Sequence, residues 1–298
     1  MDLVDEVQSR VLCGDGAIGT LLLAAGVPLE RCFEELCVTE PERIESIHRQ
    51  YVQAGARVIK TNTFGANAVR LEGFGLESSV AEINRAAAQV AGKAARDKDV
   101  YVAGSVGPLG ISGEEAAARG IDRELCFSEQ IGALSEGGVD LIFFETFMDF
   151  EEMEIAFRAR NEMGAGLALC SFACAPEGRL ASGMLLADAF TKLRSFGAQL
   201  VGVNCMNGPH STVELLRRVP GEYPLAAYPS AGYPKYHEGR FTYPAAPEDF
   251  AESAREMVAE GAHLIGGCCG TNPTHIAAIA TAIADLQPLR SMRVRVRV

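Results

Sequence analysis

Three of the nine cysteines stand where they could act together. Cys268 and Cys269 are adjacent in Gly266-Gly267-Cys268-Cys269-Gly270-Thr271, and Cys205 follows the apolar run Leu200-Val201-Gly202-Val203-Asn204. Three thiolates suffice to hold a zinc ion with one corner of its tetrahedron open, as a catalytic site requires. A lone cysteine after a strand is more often a core residue. An adjacent pair is a different signal, because neighbours on a strand point to opposite faces. Both reach one centre only where the backbone turns, and the flanking glycines permit that turn. Redox pairing of Cys268 with Cys269 is the weaker alternative, since a disulfide between neighbours is strained. Zinc on three thiolates is a poor Lewis acid for hydrolysis. It suits a fourth sulfur, because metal coordination deprotonates a thiol whose free pKa is about 8.5. Such a sulfur stays nucleophilic, so the chemistry expected is alkylation of a thiol, and the neutral thioether product would then leave the metal.

Positioning those sulfurs requires a scaffold. Eight apolar runs read as buried strands: residues 11–14, 57–61, 100–104, 140–144, 167–171, 200–204, 225–228 and 263–266. Helical patterns lie between them. Thr39 with Glu42, and Ser79 with Glu82, have capping-box spacing, and Asp149 is placed to cap the helix carrying Met153, Ala156 and Ala159. Pro273 opens a last helix that buries Ile276, Ile279 and Ile283. Strands alternating with helices at this density predict a single-domain α/β fold, a (β/α)8 TIM barrel over residues 1–290 with a tail at 291–298. An open doubly wound sheet is the competing architecture, but no Gly-x-Gly-x-x-Gly turn follows the first strand.

In such a barrel the active site forms at the carboxyl ends of the strands. Seven of the eight predicted ends carry an unusual polar or glycine-rich group: Asp15-Gly16-Ala17, Thr61 to Asn67, Gly104 to Pro108, Glu145-Thr146-Phe147, Asn204-Cys205, Tyr228 to Gly232, and Cys268-Cys269-Gly270. Asp15 could instead form only an Asx-type turn. Glu145, after four apolar residues, would be costly to bury without a cationic partner, and a structural ion pair is its other reading. Thr61, Asn62 and Asn67 could simply satisfy loop backbone. Cys13, Cys170 and Cys174 read as core, and Cys32, Cys37 and Cys126 have no usable partner spacing. His210 and His275 read as loop or helix-surface residues rather than ligands.

The formal net charge of −12 argues against nucleic acid or an anionic membrane as partner. No apolar run approaches the ~20 residues of a membrane span, and the acidic start Met1-Asp2-Leu3-Val4-Asp5-Glu6 lacks a signal-peptide pattern. A cytoplasmic protein is expected. The odd cysteine count does not fit a disulfide framework.

Taken together, Gly14 to Thr20, Thr61 to Asn67, Gly104 to Pro108, Glu145 to Phe147, Gly202 to Cys205 and Gly266 to Thr271 resemble the homocysteine S-methyltransferase family, from about Val11 to Ile283. The resemblance implies methyl transfer to the thiol of homocysteine, giving methionine. It implies zinc (Zn2+) on Cys205, Cys268 and Cys269, with the homocysteine sulfur as fourth ligand. It also implies that the turn at Asp15, Gly16 and Ala17 holds the amino-acid end of homocysteine, that Glu145 takes its ammonium, and that Thr63 and Ser230 assist. The stretches Tyr228 to Pro234 and Gly270 to Ile276 are similar to the homocysteine module of cobalamin-dependent methionine synthase and of fusions with methylenetetrahydrofolate reductase. No folate- or cobalamin-binding module is expected here, so the methyl group comes either from a small donor or from a partner or another module carrying methylcobalamin or methylfolate. The acidic charge would favour a cationic small donor, a sulfonium or a quaternary ammonium. Tyr228, Tyr233, Tyr236 and Tyr243 could cage such a cation or merely pack a loop. Competing functions are a related thiol or selenol methyltransferase, a corrinoid-partner methyltransferase or demethylase, and a non-enzymatic metal site.

Overall fold

The computed structural model describes residues 3–206, 208–219, 223–237 and 240–288; the tail expected at 291–298 lies outside them. Ten strands are formed: β1 (Leu12–Cys13), β2 (Val58–Lys60), β3 (Tyr101–Val106), β4 (Leu141–Phe147), β5 (Leu167–Phe172), β6 (Leu200–Cys205), β7 (Leu225–Pro229), β8 (Lys235–His237), β9 (Arg240–Thr242) and β10 (Ala262–Ile265). Eight of them make one parallel sheet in the order β1-β10-β7-β6-β5-β4-β3-β2. The ends of this order meet. Gly14 bridges Val58 in parallel, and the Arg57 and Asp15 amides donate to Cys13 and Val58 carbonyls at 2.7 and 2.9 Å. The sheet is therefore a closed (β/α)8 barrel, and the doubly wound alternative is excluded. All eight predicted strands are present, with ends shifted by at most three residues. β8 and β9 pair into a small antiparallel hairpin between β7 and the next helix, an element with no counterpart in the sequence expectation.

Each barrel strand is followed by an outer helix; the eight are Pro41–Gln53, Val80–Ala95, Arg123–Glu136, Phe150–Glu162, Leu186–Ser195, Pro209–Leu216, Pro247–Ala259 and Pro273–Ile283. Two predicted capping boxes do not form. The helix after β1 begins at Pro41 with Glu40 as its N-cap, because a proline at the first position needs no N–H partner. The Thr39 hydroxyl instead donates to the Glu35 carbonyl. Ser79 closes a short 3-10 turn and makes no side-chain cap. Asp149 caps as expected, accepting from the Glu152 amide at 3.2 Å.

Strand alternation sorts side chains between two cores. Outward-facing residues pack against the helices. Inward-facing Leu12, Val58, Ala103, Leu141, Phe143, Leu169, Leu200, Ala226, Tyr228 and Leu264 fill the barrel. Leu3 and Val7, from the helix Leu3–Ser9, join this inner cluster and plug the end where the strands begin. Cys13, Cys170 and Cys174 are buried in the outer core, as expected. At the opposite end Tyr228 lies across the axis, edge-on to Phe143 with centroids 5.1 Å apart.

Room for Tyr228 comes from two glycines. A Cβ on Gly14 would lie 2.1 Å from the Tyr228 hydroxyl, and one on Gly266 would lie 2.3 Å from its ring. Gly14→Ala is expected to cost about 1–3 kcal/mol by overpacking, read as a lower urea midpoint at unchanged slope.

Candidate metal centre and substrate cavity

β6 and β10 both flank β7, and this brings the cysteines together. Cys205 is in register with Pro229 of β7, and the Cys268 amide donates to the Pro229 carbonyl at 2.8 Å from the other side. The three Sγ atoms lie within 4.8 Å of one another, with Cys205 and Cys269 sulfurs 3.8 Å apart. Tetrahedral coordination at about 2.3 Å separates sulfurs by roughly 3.8 Å. The trio therefore fits a metal ion with little rearrangement. All three residues are half-buried and line one cavity, so a fourth coordination position would open into it. Without a cation among them, clustered sulfurs do not all ionise. Hydrogen bonds from Cys268 and Cys269 pull Cys205 far below the usual thiol range, and the contacts with Cys205 push both partners up, Cys269 to about 11.

The backbone around the sulfurs is strained and stitched. Cys205 (φ 59°) and Met206 (φ 34°) leave β6 in the left-handed region, costly for non-glycine residues and concentrated at functional sites. Gly270 (φ 82°) turns the chain after Cys269. Thr271 holds that turn: its hydroxyl donates to the Cys268 carbonyl at 2.7 Å and accepts from the Ala17 amide at 3.2 Å. The Tyr51 hydroxyl donates to the Ala17 carbonyl at 2.6 Å. Ser230 does not line the cavity; its hydroxyl points at the Cys205 sulfur, 3.7 Å away. On the other flank Asn204 clamps a bulge in β4. It accepts from the Thr146 amide at 2.8 Å, donates to the Thr146 hydroxyl at 2.6 Å, and accepts from Ser171 at 2.9 Å. Thr146 has φ 64° there, and the register slips between Phe144 and Phe147. The strand runs past Glu145, which sequence placed beyond it and which keeps the inward parity of Phe143.

The cavity has a volume of about 440 Å³, within the range of small-molecule sites. Gly16, Ala17, Thr63 and Glu145 are on its wall opposite or beside the sulfurs. Thr63 is fully buried, and its hydroxyl is already engaged with the Ser105 carbonyl at 2.7 Å and with Thr61 at 2.6 Å. Asn62 and Asn67 serve backbone, at Phe33 and Arg70. Glu145 has the cationic partner its burial demands: Lys60 Nζ lies 3.1 Å from Oε2, while the Ser105 hydroxyl donates to Oε1 at 2.5 Å. Lys60 was not among the residues singled out from sequence. The signal was present, as a lysine inside an apolar strand run with the inward parity of Val58. Burial opposes its charge, yet Glu145 and Asp15 hold its ammonium above the ordinary lysine range.

Neither His210 nor His275 joins the sulfurs. His210 contacts the Ser253 hydroxyl, and His275 packs into the cap of the last helix against Asn272 and the Ala245 carbonyl. The tyrosines form no cage. Tyr228 is barrel core, Tyr233 and Tyr236 are exposed, and Tyr243 packs against Gly270. Asp15 is fully buried; Oδ2 accepts from the Lys60 amide at 2.7 Å and Oδ1 has no partner. Burial pushes its carboxyl up to about 7, against the pull of Lys60. The folded state thus favours the protonated acid, and the associated stability is present at low pH and lost as pH rises through about 7. Asp15→Asn, which cannot ionise, is expected to gain up to about 4 kcal/mol relative to wild type between about pH 4 and 8, measured by urea unfolding across that range.

The homocysteine S-methyltransferase family model matches residues 12–283. Methionine synthase of Mycobacterium tuberculosis is 33% identical over 308 residues, covering 96% of this chain and 26% of that protein. The chain spans about a quarter of the length of the curated relatives it matches. Among solved structures, the homocysteine methyltransferase MmuM of Escherichia coli aligns in its oxidized form with a TM-score of 0.77 and 27% identity, covering 94% of this chain and 97% of that one. Its metallated form aligns with a TM-score of 0.75 and 26% identity, covering 91% and 96%. With a match running from the first barrel strand to the last helix, this chain belongs to the homocysteine S-methyltransferase family.

Proposed function

We propose that the chain transfers a methyl group to the thiol of homocysteine, giving methionine, with zinc held by Cys205, Cys268 and Cys269. The observation carrying this reading is the sulfur trio, spaced for tetrahedral coordination and facing the cavity at the barrel mouth. A three-sulfur donor set favours zinc over hard, oxygen-seeking cations. When bound, zinc would supply an acidic centre that lowers the pKa of an incoming thiol.

The chain's own residues do the remainder. Glu145 faces the substrate ammonium, and the Asp15-Gly16-Ala17 turn, through Gly16 and Ala17 on the cavity wall, carries the amino-acid end. This directs the side chain of homocysteine toward the sulfurs. The apolar wall from Ile18, Leu23, Phe33 and Phe64 excludes water from the reacting sulfur. That sulfur gives up its proton and forms the bond to the methyl carbon, while the donor leaves with the electron pair of the bond that breaks. Ser230 and Asn204, beside Cys205 and Cys268, orient the ligand sulfurs as supporting hydrogen bonds do at other metal sites. The donor is a sulfonium, a quaternary ammonium, or a methylcobalamin or methylfolate carried by another module. Among the described residues no helix is long and apolar enough to cross a membrane.

The test is metal content and turnover together. Purified wild-type chain should carry about one zinc. It should methylate homocysteine with at least one of S-methylmethionine, betaine and methylcobalamin. Cys205→Ser should lose most of the zinc and at least about 100-fold in methionine formation, since the pocket loses a ligand. Full turnover by zinc-free Cys205→Ser would overturn the proposal.

A further inference from the structure

Lys60 is the sole cationic side chain on the cavity wall among the described residues. It is 6% exposed, and an ammonium so buried persists only with anions beside it. Glu145 supplies one at 3.1 Å, and Asp15 Oδ2 accepts from the Lys60 backbone amide nearby. A purely structural pair would balance charge one to one and leave no polar atom unspent. Here each partner keeps something in reserve. Asp15 Oδ1 is buried with no hydrogen-bond partner. The lysine ammonium carries three donors, and Glu145 is the one oxygen hydrogen-bonded to them among the described residues. Nζ otherwise sits over the rings of Phe143 and Tyr228, 5.5 and 5.0 Å from their centroids. Ring faces stabilise the cation without adding an oxygen that would compete for its protons.

An α-amino acid presents the complement of this wall: an ammonium for the Glu145 carboxylate and a carboxylate for the spare donors of the lysine. We infer that Lys60 binds the α-carboxylate of the thiol substrate, and so selects amino-acid thiols over simple thiols; this rests on the methyl-transfer reading above. Glu145 then has two tasks. It faces the substrate ammonium from the cavity wall, and it tethers Lys60 while Ser105 fixes its other oxygen. Lys60 takes no part in bond making. It determines which thiols reach the sulfurs in register.

Titration calorimetry of the zinc-loaded chain tests this with homocysteine, its decarboxylated analogue and its deaminated analogue, in wild type, Lys60→Met and Lys60→Gln. Lys60→Met should weaken homocysteine and the deaminated analogue about 10- to 100-fold, the worth of a charge-assisted bond. The decarboxylated analogue should change less than about threefold. Lys60→Gln keeps a donor for Glu145 and should lose the same preference, which decides the matter if Lys60→Met does not fold. Equal weakening of all three probes at unchanged zinc content would make Lys60 a support of the floor and overturn the inference, as would an unchanged preference. A wild-type chain that binds none of the thiols would overturn the methyl-transfer reading, and the inference with it.

Discussion

The close approach of the ends of β6 and β10 across β7 is the constraint on which the site depends. Parallel strands in a closed barrel are held at a fixed spacing by their ladders. Cys205 and Cys268 are tied to the same residue, Pro229, from opposite sides. Sulfurs so placed repel one another once ionised: hydrogen bonds from Cys268 and Cys269 pull Cys205 down, and the contacts with it push those two up. A divalent cation removes that repulsion and makes the whole set favourable. The barrel wall therefore supplies geometry, and the charge balance of the site calls for a metal.

A second charge problem lies one layer deeper. Lys60, Ser105, Glu145, Ser171 and Asn204 are all buried, and their parity along the strands turns them toward the barrel mouth rather than toward the helices. Below them the interior is apolar, with Phe143 and Tyr228 forming the boundary. Polar groups at this depth must be partnered, and nearly all are. Among the exceptions are Asp15 Oδ1 and the Tyr228 hydroxyl, both fully buried beneath the cavity wall. The floor is thus stable enough to form unaided.

Local strain marks the same places. Thr146, Cys205 and Met206 take left-handed conformations that cost on the order of 1–3 kcal/mol each. Asn204 spans two of these positions, next to Cys205 in the chain and bonded to Thr146 on β4. Thr271 performs a similar service for the Cys268–Cys269 turn. These bonds offset the strain and transmit the rigidity of the barrel to the sulfurs and to Glu145.

The eight strands, the barrel class and the grouping of unusual residues at strand ends were legible in the chain, because alternating apolar runs and helical periodicity are local properties. So was the convergence of Cys205, Cys268 and Cys269, since strand number alone puts β6 and β10 two places apart. The capping boxes at Thr39 and Ser79 were misread, because Pro41 and a 3-10 turn moved the helix starts. The β8 and β9 strands are three residues each, too short for their alternation to mark them. The Lys60–Glu145 pair, 85 residues apart, the bulge beside Glu145, and the burial of Tyr228 between Gly14 and Gly266 emerged only on folding. Pattern along a chain specifies which face a side chain takes. Which distant charge it meets depends on register and closure, and those are set by all eight strands at once.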